Sequence, residues 1–399
     1  IMLTASHLPF NRNGLKFFTR TGGLNKGDIA AILALAAAGE FTTAAEAGSS
    51  ETRDFISTYA AGFVKQIREA VNDPDNYDRP LSGLKIIVDA GNGAGGFYVD
   101  KVLQPLGADT TGSQFLDPDG TFPNHIPNPE DKDAIASIRQ AVLENQADFG
   151  IIFDTDVDRS AAVDRSGKEL NRNRLIALMA TIVLQEHPGS AIVTDSITSD
   201  GLGRFIEGEL GGVHHRFKRG YKNVISEAQR LNAEGQESWL AIETSGHGAM
   251  KENHFLDDGA YSITKLTIEL ARCHRQGKSL TDAIAKLQEP VESEEVRVKI
   301  GLEDFKPYAN TVIEKLQVFA ASQEDWQIVP KNYEGVRVAC TAADEDGWFL
   351  LRLSLHDPVI PLNIESNVAG GTAKIATRLQ EFLQAFDVLD LAVFARLAG

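Results

Sequence analysis

Asp154, Asp156 and Asp158 alternate through residues 147–159, ADFGIIFDTDVDR, just past a hydrophobic run. An extended backbone points alternate side chains the same way, so three carboxylates are expected on one side. They would repel one another without a cation between them, and an all-oxygen set suits a hard ion such as Mg2+ rather than zinc. Arg159 follows directly and is available for a phosphate. The plain alternative is a solvated acidic turn, because Asp is common in turns. A calcium loop of EF-hand type is disfavoured, since the Gly and the bidentate Glu are missing from their offsets.

Residues 4–16, TASHLPFNRNGLK, gather the Ser6 hydroxyl, the His7 imidazole and the basic groups of Arg12 and Lys16 in one short polar loop. Alone, this reads equally as an ordinary turn. Beside the triple-Asp loop it suggests phosphoryl chemistry on a serine, because Mg2+ and cationic side chains can neutralise a phosphoryl group in transit. Further along, Glu243 and Ser245 stand at alternate positions after the run 239–242 and offer an acceptor and a donor/acceptor suited to adjacent sugar hydroxyls. His247 either contacts substrate, moves protons or makes a structural hydrogen bond. Lys222, in Arg219-Gly220-Tyr221-Lys222, is either a substrate-facing cation or a solvated lysine.

Two glycine features carry counter-readings. Residues 91–96, GNGAGG, formally fit GxGxxG, but the acidic residue that a dinucleotide site asks for is met only loosely near Asp117, so a structural turn is preferred. Gly370-Gly371-Thr372 offers N–H groups to an anion or simply starts a helix.

The elements that must position these groups fall into four segments. In the first, the 4–16 loop leads through a Gly-rich turn at 21–23 and an Ala-rich helical stretch to residues 51–71, where Phe55, Tyr59, Phe63, Ile67 and Val71 recur at helical spacing. A polar breaker at 72–76 closes it. The second has strands at 84–89 and 148–153 with helices near 98–106 and at 132–145, and this alternation predicts a parallel sheet. The third repeats the logic with strands 191–195, 213–217 and 239–243 and helices 201–209, 223–231 and 260–276. A helix at 280–287 then ends at Glu289-Pro290. The fourth changes character: strands 294–300, 335–341 and 348–355 with helices 305–321 and 373–386 predict a small α+β domain with an antiparallel sheet.

Composition bounds the partners. Lys and Arg number 39 against 56 Asp and Glu, a net charge of −17, which argues against nonspecific nucleic-acid or anionic-membrane binding. With 43% hydrophobic and 24% charged residues the chain is globular rather than disordered. The longest apolar runs, 30–38 and 175–184, fall short of the roughly 18–20 residues that cross a bilayer. Cys273 and Cys340 lack any ligand spacing, so neither a disulfide framework nor a zinc site is expected. The expectation is a soluble intracellular protein, monomer or dimer, with cytoplasm and plastid stroma both open. The chain opens at Ile1-Met2-Leu3 directly on a motif, so an N-terminal segment with any leader is expected to be missing.

Taken together, the motifs resemble the α-D-phosphohexomutase family of phosphomannomutases, phosphoglucomutases and phosphoglucosamine mutases. TASHLPFNRNGLK is similar to that family's phosphoserine loop (TASHNP…NGxK), DTDVDR to its metal loop (DGDxDR), and ETSGH at 243–247 to its sugar loop (GExSGH), in the family's order. The resemblance implies three similar mixed α/β domains and a smaller C-terminal α+β domain around a central cleft. Their expected bounds are 1–76 for the phosphoserine loop, 77–187 for the metal, 188–292 for the sugar and 293–399 for the phosphate. It implies interconversion of hexose 1-phosphate and hexose 6-phosphate through phosphorylated Ser6 and a hexose 1,6-bisphosphate, which is also the activator. Mg2+ would sit on Asp154, Asp156, Asp158 and Ser6. Lys16 and His247 would act as acid/base or charge stabilisers, and His7, Arg159, Lys222, Glu243 and Ser245 would touch substrate.

The fit loosens in the fourth domain. The family's phosphate loop, RxSGTEP, corresponds to Arg352-Leu353-Ser354-Leu355-His356-Asp357-Pro358, which keeps Arg352 and Ser354 but replaces the small Gly-Thr pair. A glycine there can turn backbone N–H groups toward a phosphate, and a leucine obstructs this. Two alternatives therefore stand beside the mutase: a synthase that releases hexose 1,6-bisphosphate from the same serine, and a non-catalytic sugar-phosphate-binding protein.

Overall fold

The structure is a computed structural model that describes every residue except Thr21, Leu355, His356, Ala398 and Gly399. The altered positions Leu355 and His356 therefore lie outside the described residues. Contacts divide the chain into two compact units: residues 1–169 with 259–276, and residues 170–258 with 277–399.

In the first unit, a short antiparallel pair, Met2–Leu3 with Leu15–Lys16, closes the 4–14 loop at its base. Gly14 is needed there, because a Cβ on it would lie 2.4 Å from the Thr4 carbonyl oxygen. Helix Phe55–Val71 starts on Asp54, whose carboxylate accepts the Ser57 N–H, and ends on Asn72 in the left-handed region. It buries Ala60, Phe63, Ile67 and Val71, one stripe at helical spacing. That stripe packs on helix Gly259–Arg275, where Tyr261 takes a hydrogen bond from Gln66 at 3.0 Å. Strands Ile86–Asp89 and Phe149–Phe153 pair parallel, but Phe149–Phe153 pairs antiparallel with Ser160–Asp164. The sheet is thus mixed and not purely parallel as expected, because the chain doubles back at once after the Asp-rich turn. Helix Lys132–Asn145, capped by Asp131, covers it with Ile135, Ile138 and Val142.

In the second unit, strands Val213–Arg216, Ala191–Thr194 and Ser238–Ile242 run parallel, and Gly248–Met250 returns antiparallel on the edge. Helix Arg172–Glu186, buried from Leu175 to Leu184, was visible in the sequence only as an apolar run, since a helix apolar on every side shows no period. Residues 292–397 supply a six-stranded, wholly antiparallel sheet with helices Phe305–Ala321 and Gly371–Leu383 packed on it. Val338, Phe349, Leu316 and Leu379 are fully buried in that core, and truncating Phe349 to alanine would cost about 3–5 kcal/mol.

Local corrections follow from packing. The expected helices at 98–106 and 201–209 are irregular: a π-helical turn at Val99–Leu103, and a short α-helix, Asp200–Arg204, that runs into another π-helical turn, Phe205–Glu209. The expected helix at 280–287 is one 3-10 stretch, Leu280–Ile284. Strand Val359–Ser366 lies in the middle of its sheet and is buried nearly throughout, so it lacks the alternation that marks an exposed strand. Among the described residues, no helix is long and apolar enough to cross a membrane.

Candidate active site

In the first unit, the Asp-rich loop and the Ser6 loop meet. The three aspartates converge through a tight turn and not through strand alternation. The Asp154 N–H donates to the Arg159 carbonyl at 3.2 Å, and Val157 sits at φ 66°, a costly conformation for a β-branched residue. Two glycines hold the turn from either side. A Cβ on Gly93 would lie 2.7 Å from the Thr155 carbonyl oxygen, and one on Gly259 would lie 2.7 Å from the Arg159 carbonyl carbon. The 91–96 turn is therefore a structural cradle for the Asp loop, as its structural reading holds, and the Ala94 N–H anchors it on the Thr155 carbonyl at 2.8 Å.

Each carboxylate oxygen pair has its own partners. Asp154, fully buried, accepts the Arg159 backbone N–H and its Nε, both at 3.1 Å. Asp156 Oδ2 accepts from the Thr4 hydroxyl at 2.9 Å and the Lys16 ammonium at 3.1 Å, and Lys16 also donates to Asp158 at 3.0 Å. One ligand atom from each of the three lies within 4.8 Å of the others, and Asp156 Oδ1 is buried with no hydrogen-bond partner. A buried acceptor without a donor, among three hard oxygen ligands, fits a Mg2+ site.

The charges explain the titration. Burial pushes the Asp154 carboxyl well above the ordinary range, and Asp158 and Asp156 add to this against the pull of Arg159. Burial acts the same way on Asp156, but Lys16 and the Thr4 hydroxyl outweigh it and hold that carboxyl low. Burial opposes the charge of Lys16, yet Asp158 and Asp156 raise its pKa and keep it an ammonium.

Ser6 adopts φ 53°, and its N–H donates to the Thr4 hydroxyl at 2.9 Å. Its Oγ accepts from Arg159 Nη2 at 3.3 Å and lies 3.1 Å from His7 Nδ1, which also meets Arg159 Nη2. Arg159 is itself held by Asp154 and by Asn128 Oδ1 at 3.2 Å. Ser6, His7, Lys16, Asp154, Asp156, Asp158 and Arg159 are thus one cluster. Thr4 and Asn128 belong to it but were not singled out, because neither carries a charge that sequence reasoning can follow.

In the second unit, Glu243, Thr244 and Ser245 form a buried turn between Ser238–Ile242 and Gly248–Met250. The Glu243 N–H donates to the His247 carbonyl at 2.9 Å, and Gly246 takes φ 96°. Glu243 Oε1 accepts the Gly220 N–H at 2.6 Å, at the start of helix Tyr221–Ala233. Burial, then the nearby Asp195 carboxylate, push the Glu243 carboxyl up to about 7. His247 Nδ1 lies 2.7 Å from Asp257 Oδ2 and its ring stacks near Tyr221 at 5.1 Å. A donor at Nδ1 leaves the neutral ring's lone pair on Nε2. Lys222 is exposed in the first helical turn. Asp195, Tyr221 and Asp257 complete this group, and only proximity in the fold reveals them.

Arg352 and Ser354 are both buried after strand Gly347–Leu351. Ser354 Oγ accepts the Asp357 N–H at 3.1 Å, and Arg352 Nη1 faces Glu334 Oε1 at 3.9 Å. Glu334 Oε2 accepts from the Ser196 hydroxyl at 2.6 Å and from the Arg219 N–H at 3.1 Å. The consecutive N–H groups of Arg219 and Gly220 therefore tie Glu334 beside Arg352 to Glu243 in the sugar-type loop. The anion at Gly370-Gly371-Thr372 is internal: Glu292 accepts the Gly370 N–H at 2.6 Å, the Thr372 N–H at 3.1 Å and its hydroxyl at 2.7 Å.

Two profiles match, phosphoglucomutase/phosphomannomutase alpha/beta/alpha domain II over residues 61–167 and domain III over 171–291. A phosphomannomutase/phosphoglucomutase of Pseudomonas putida is 30% identical over 369 residues, covering 92% of this chain and 72% of the relative. A phosphoglucomutase of Neisseria gonorrhoeae is 28% identical over 385 residues, covering 96% and 77%. The crystal structure of a phosphoglucomutase/phosphomannomutase family protein from Burkholderia thailandensis superposes with a TM-score of 0.76 at 28% identity, covering 96% of this chain and 75% of that one.

Proposed function

We infer the reaction from the family to which the chain belongs: it is a member of the α-D-phosphohexomutase family and a phosphohexomutase, an intramolecular phosphotransferase. From that premise we propose that it interconverts hexose 1-phosphate and hexose 6-phosphate through a phosphoserine at Ser6 and a hexose 1,6-bisphosphate. The observation that carries the reading is the contact of Ser6 Oγ with Arg159, which is itself locked on Asp154 of the carboxylate triad.

In the transfer, the Ser6 Oγ–P bond breaks as a sugar hydroxyl oxygen bonds phosphorus. In the return, Ser6 Oγ loses its proton and bonds the phosphorus of the other sugar phosphate as that sugar O–P bond breaks, and the freed sugar oxygen takes up a proton, matching the one its counterpart hydroxyl gave up in the first transfer. Arg159 supports the charge at Oγ, and the Lys16 ammonium, between Asp156 and Asp158, stabilises negative charge nearby. Asp154, Asp156 and Asp158 would hold Mg2+, which when bound neutralises charge on the phosphoryl group. Glu243 and Ser245 meet sugar hydroxyls, with Lys222 at the edge. His247, oriented by Asp257, holds or moves a proton at Nε2. Arg352 and Ser354 grip the phosphate that is not in transit.

The test is a coupled assay of glucose, mannose and glucosamine phosphates with a bisphosphate primer, together with peptide mass analysis of active protein. Mutase turnover with phosphate on Ser6 is the expected result. Turnover by unmodified protein would sink the proposal, and stoichiometric accumulation of bisphosphate would show a synthase instead.

A further inference from the structure

Glu334 makes an unusual set of contacts for a carboxylate on a seven-residue connection between strands Trp326–Ile328 and Val336–Cys340. Its oxygens collect the Ser196 hydroxyl at 2.6 Å, the Arg219 N–H at 3.1 Å and the Arg352 guanidinium at 3.9 Å. A hydroxyl, a backbone amide and an arginine converging on one point are the donors that a phosphate monoester uses. Arg352 Nε, meanwhile, is buried with no hydrogen-bond partner, so this guanidinium has donor capacity that Glu334 does not absorb.

The backbone around Glu334 is fixed. Asn332 Nδ2 donates to the Glu334 and Gly335 carbonyls, each at 2.8 Å. Gly335, at φ 59°, runs so close to the next strand that a Cβ would lie 2.1 Å from the Leu351 carbonyl oxygen and 2.7 Å from Arg352 Cα. The loop therefore cannot retreat from Arg352, but the Glu334 side chain, 17% exposed, can rotate away about its own bonds.

We infer that Glu334 is an internal competitor for the substrate's phosphate group: its carboxylate holds the Ser196, Arg219 and Arg352 donors in the resting protein and swings out when a phosphate monoester takes them. Glu334 thus sets phosphate affinity through the Arg352 donors, and the inference rests on the reading that Arg352 grips the non-transferring phosphate. Competition of this kind lowers affinity for every phosphorylated ligand alike, and so limits how tightly the bisphosphate is retained.

The experiment measures binding of glucose 6-phosphate and of inorganic phosphate to the full chain by calorimetry, for wild type, Glu334→Gln, Arg352→Ala and the double variant, each first checked for an intact melting transition. Glutamine keeps the shape and one acceptor but removes the charge. Glu334→Gln is expected to bind both phosphate ligands on the order of tenfold more tightly, with no such gain in Arg352→Ala/Glu334→Gln over Arg352→Ala alone. Unchanged or weaker binding in Glu334→Gln, with Arg352→Ala weakened as expected, would overturn the inference alone. Unchanged binding in Arg352→Ala would overturn the phosphate assignment itself, and the inference with it.

Discussion

Carboxylates meet cations in different ways around Ser6 and around Glu243 and Arg352. Around Ser6 the pairs are direct: Lys16 touches Asp156 and Asp158 at 3.0–3.1 Å, and Arg159 touches Asp154 at 3.1 Å. Around Glu243 and Arg352 two arginine–carboxylate pairs are longer, Arg219 to Asp195 at 3.6 Å and Arg352 to Glu334 at 3.9 Å. There the carboxylates take their short bonds, each 2.6 Å, from neutral donors: the Gly220 amide for Glu243, the Ser196 hydroxyl for Glu334 and the Thr244 hydroxyl for Asp195. The difference teaches what each place is built for. Direct pairs fix the geometry of groups that must hold a reacting phosphorus, because misplacement there costs rate. Looser pairs leave guanidinium donors able to accept a second anion that comes and goes.

The sharpest way to break the comparison is at the tight end. Ser6→Ala should lower turnover by three orders of magnitude or more, roughly, with the coupled assay as readout. Activity near wild type would remove the serine from the chemistry. Next comes Asp156→Asn, which removes charge from a triad carboxylate whose Oδ1 is buried without a hydrogen-bond partner. It should weaken Mg2+ binding by at least about tenfold, measured by titrating Mg2+ into chelator-stripped protein. EDTA should stop wild-type turnover, and Mg2+ should restore it.

At the loose end, Arg352→Ala should raise KM for the hexose phosphate about 30-fold, equivalent to ~2 kcal/mol, while phosphate on Ser6 is retained. A fall in kcat with unchanged KM would place Arg352 in the chemistry and erase the contrast.

The smallest expected effect concerns Glu365, a third style of carboxylate. It is buried and accepts the Trp348 indole N–H at 2.8 Å, and burial, only partly offset by that bond and by Arg337, pushes it up to about 7. A folded-state value above the unfolded 4.5 means that the folded protein holds this proton more tightly. Its stabilising contribution is complete below about pH 4.5 and is lost as pH rises through about 7. Glu365→Gln, which mimics the protonated side chain, should therefore melt a few degrees above wild type at about pH 8 and match it near pH 4. Equal melting temperatures at both pH values would contradict this.

Some of this was legible beforehand. Helix Lys132–Asn145 was expected at the bounds it has, since Asp131 caps it and Gln146 closes it in the left-handed region, both local effects. The Phe63, Ile67 and Val71 stripe was equally local. Strand Val359–Ser366 and helix Arg172–Glu186 were not resolved as elements, because full burial erases the period that sequence reading depends on.

By itself, the sequence determined which groups are present and in what order: a hydroxyl with basic neighbours, three aspartates followed by arginine, a Glu-Ser-His turn, and an arginine before an altered loop. Those are properties of side-chain chemistry and short-range spacing, which need no knowledge of distant contacts. Tertiary structure alone decided that Lys16 lies between Asp156 and Asp158, residues about 140 positions away, and that Thr4 shares the Asp156 oxygen. It decided that helix Gly259–Arg275 leaves its sequence neighbours and joins the unit of the Asp loop, where Gly259 presses on the Arg159 backbone. It also placed Glu334 between Ser196, Arg219 and Arg352. The reason is physical: a hydrogen bond or a charge pair acts over a few ångströms of space whatever the separation along the chain, and only the packed core sets which distant residues come within that reach.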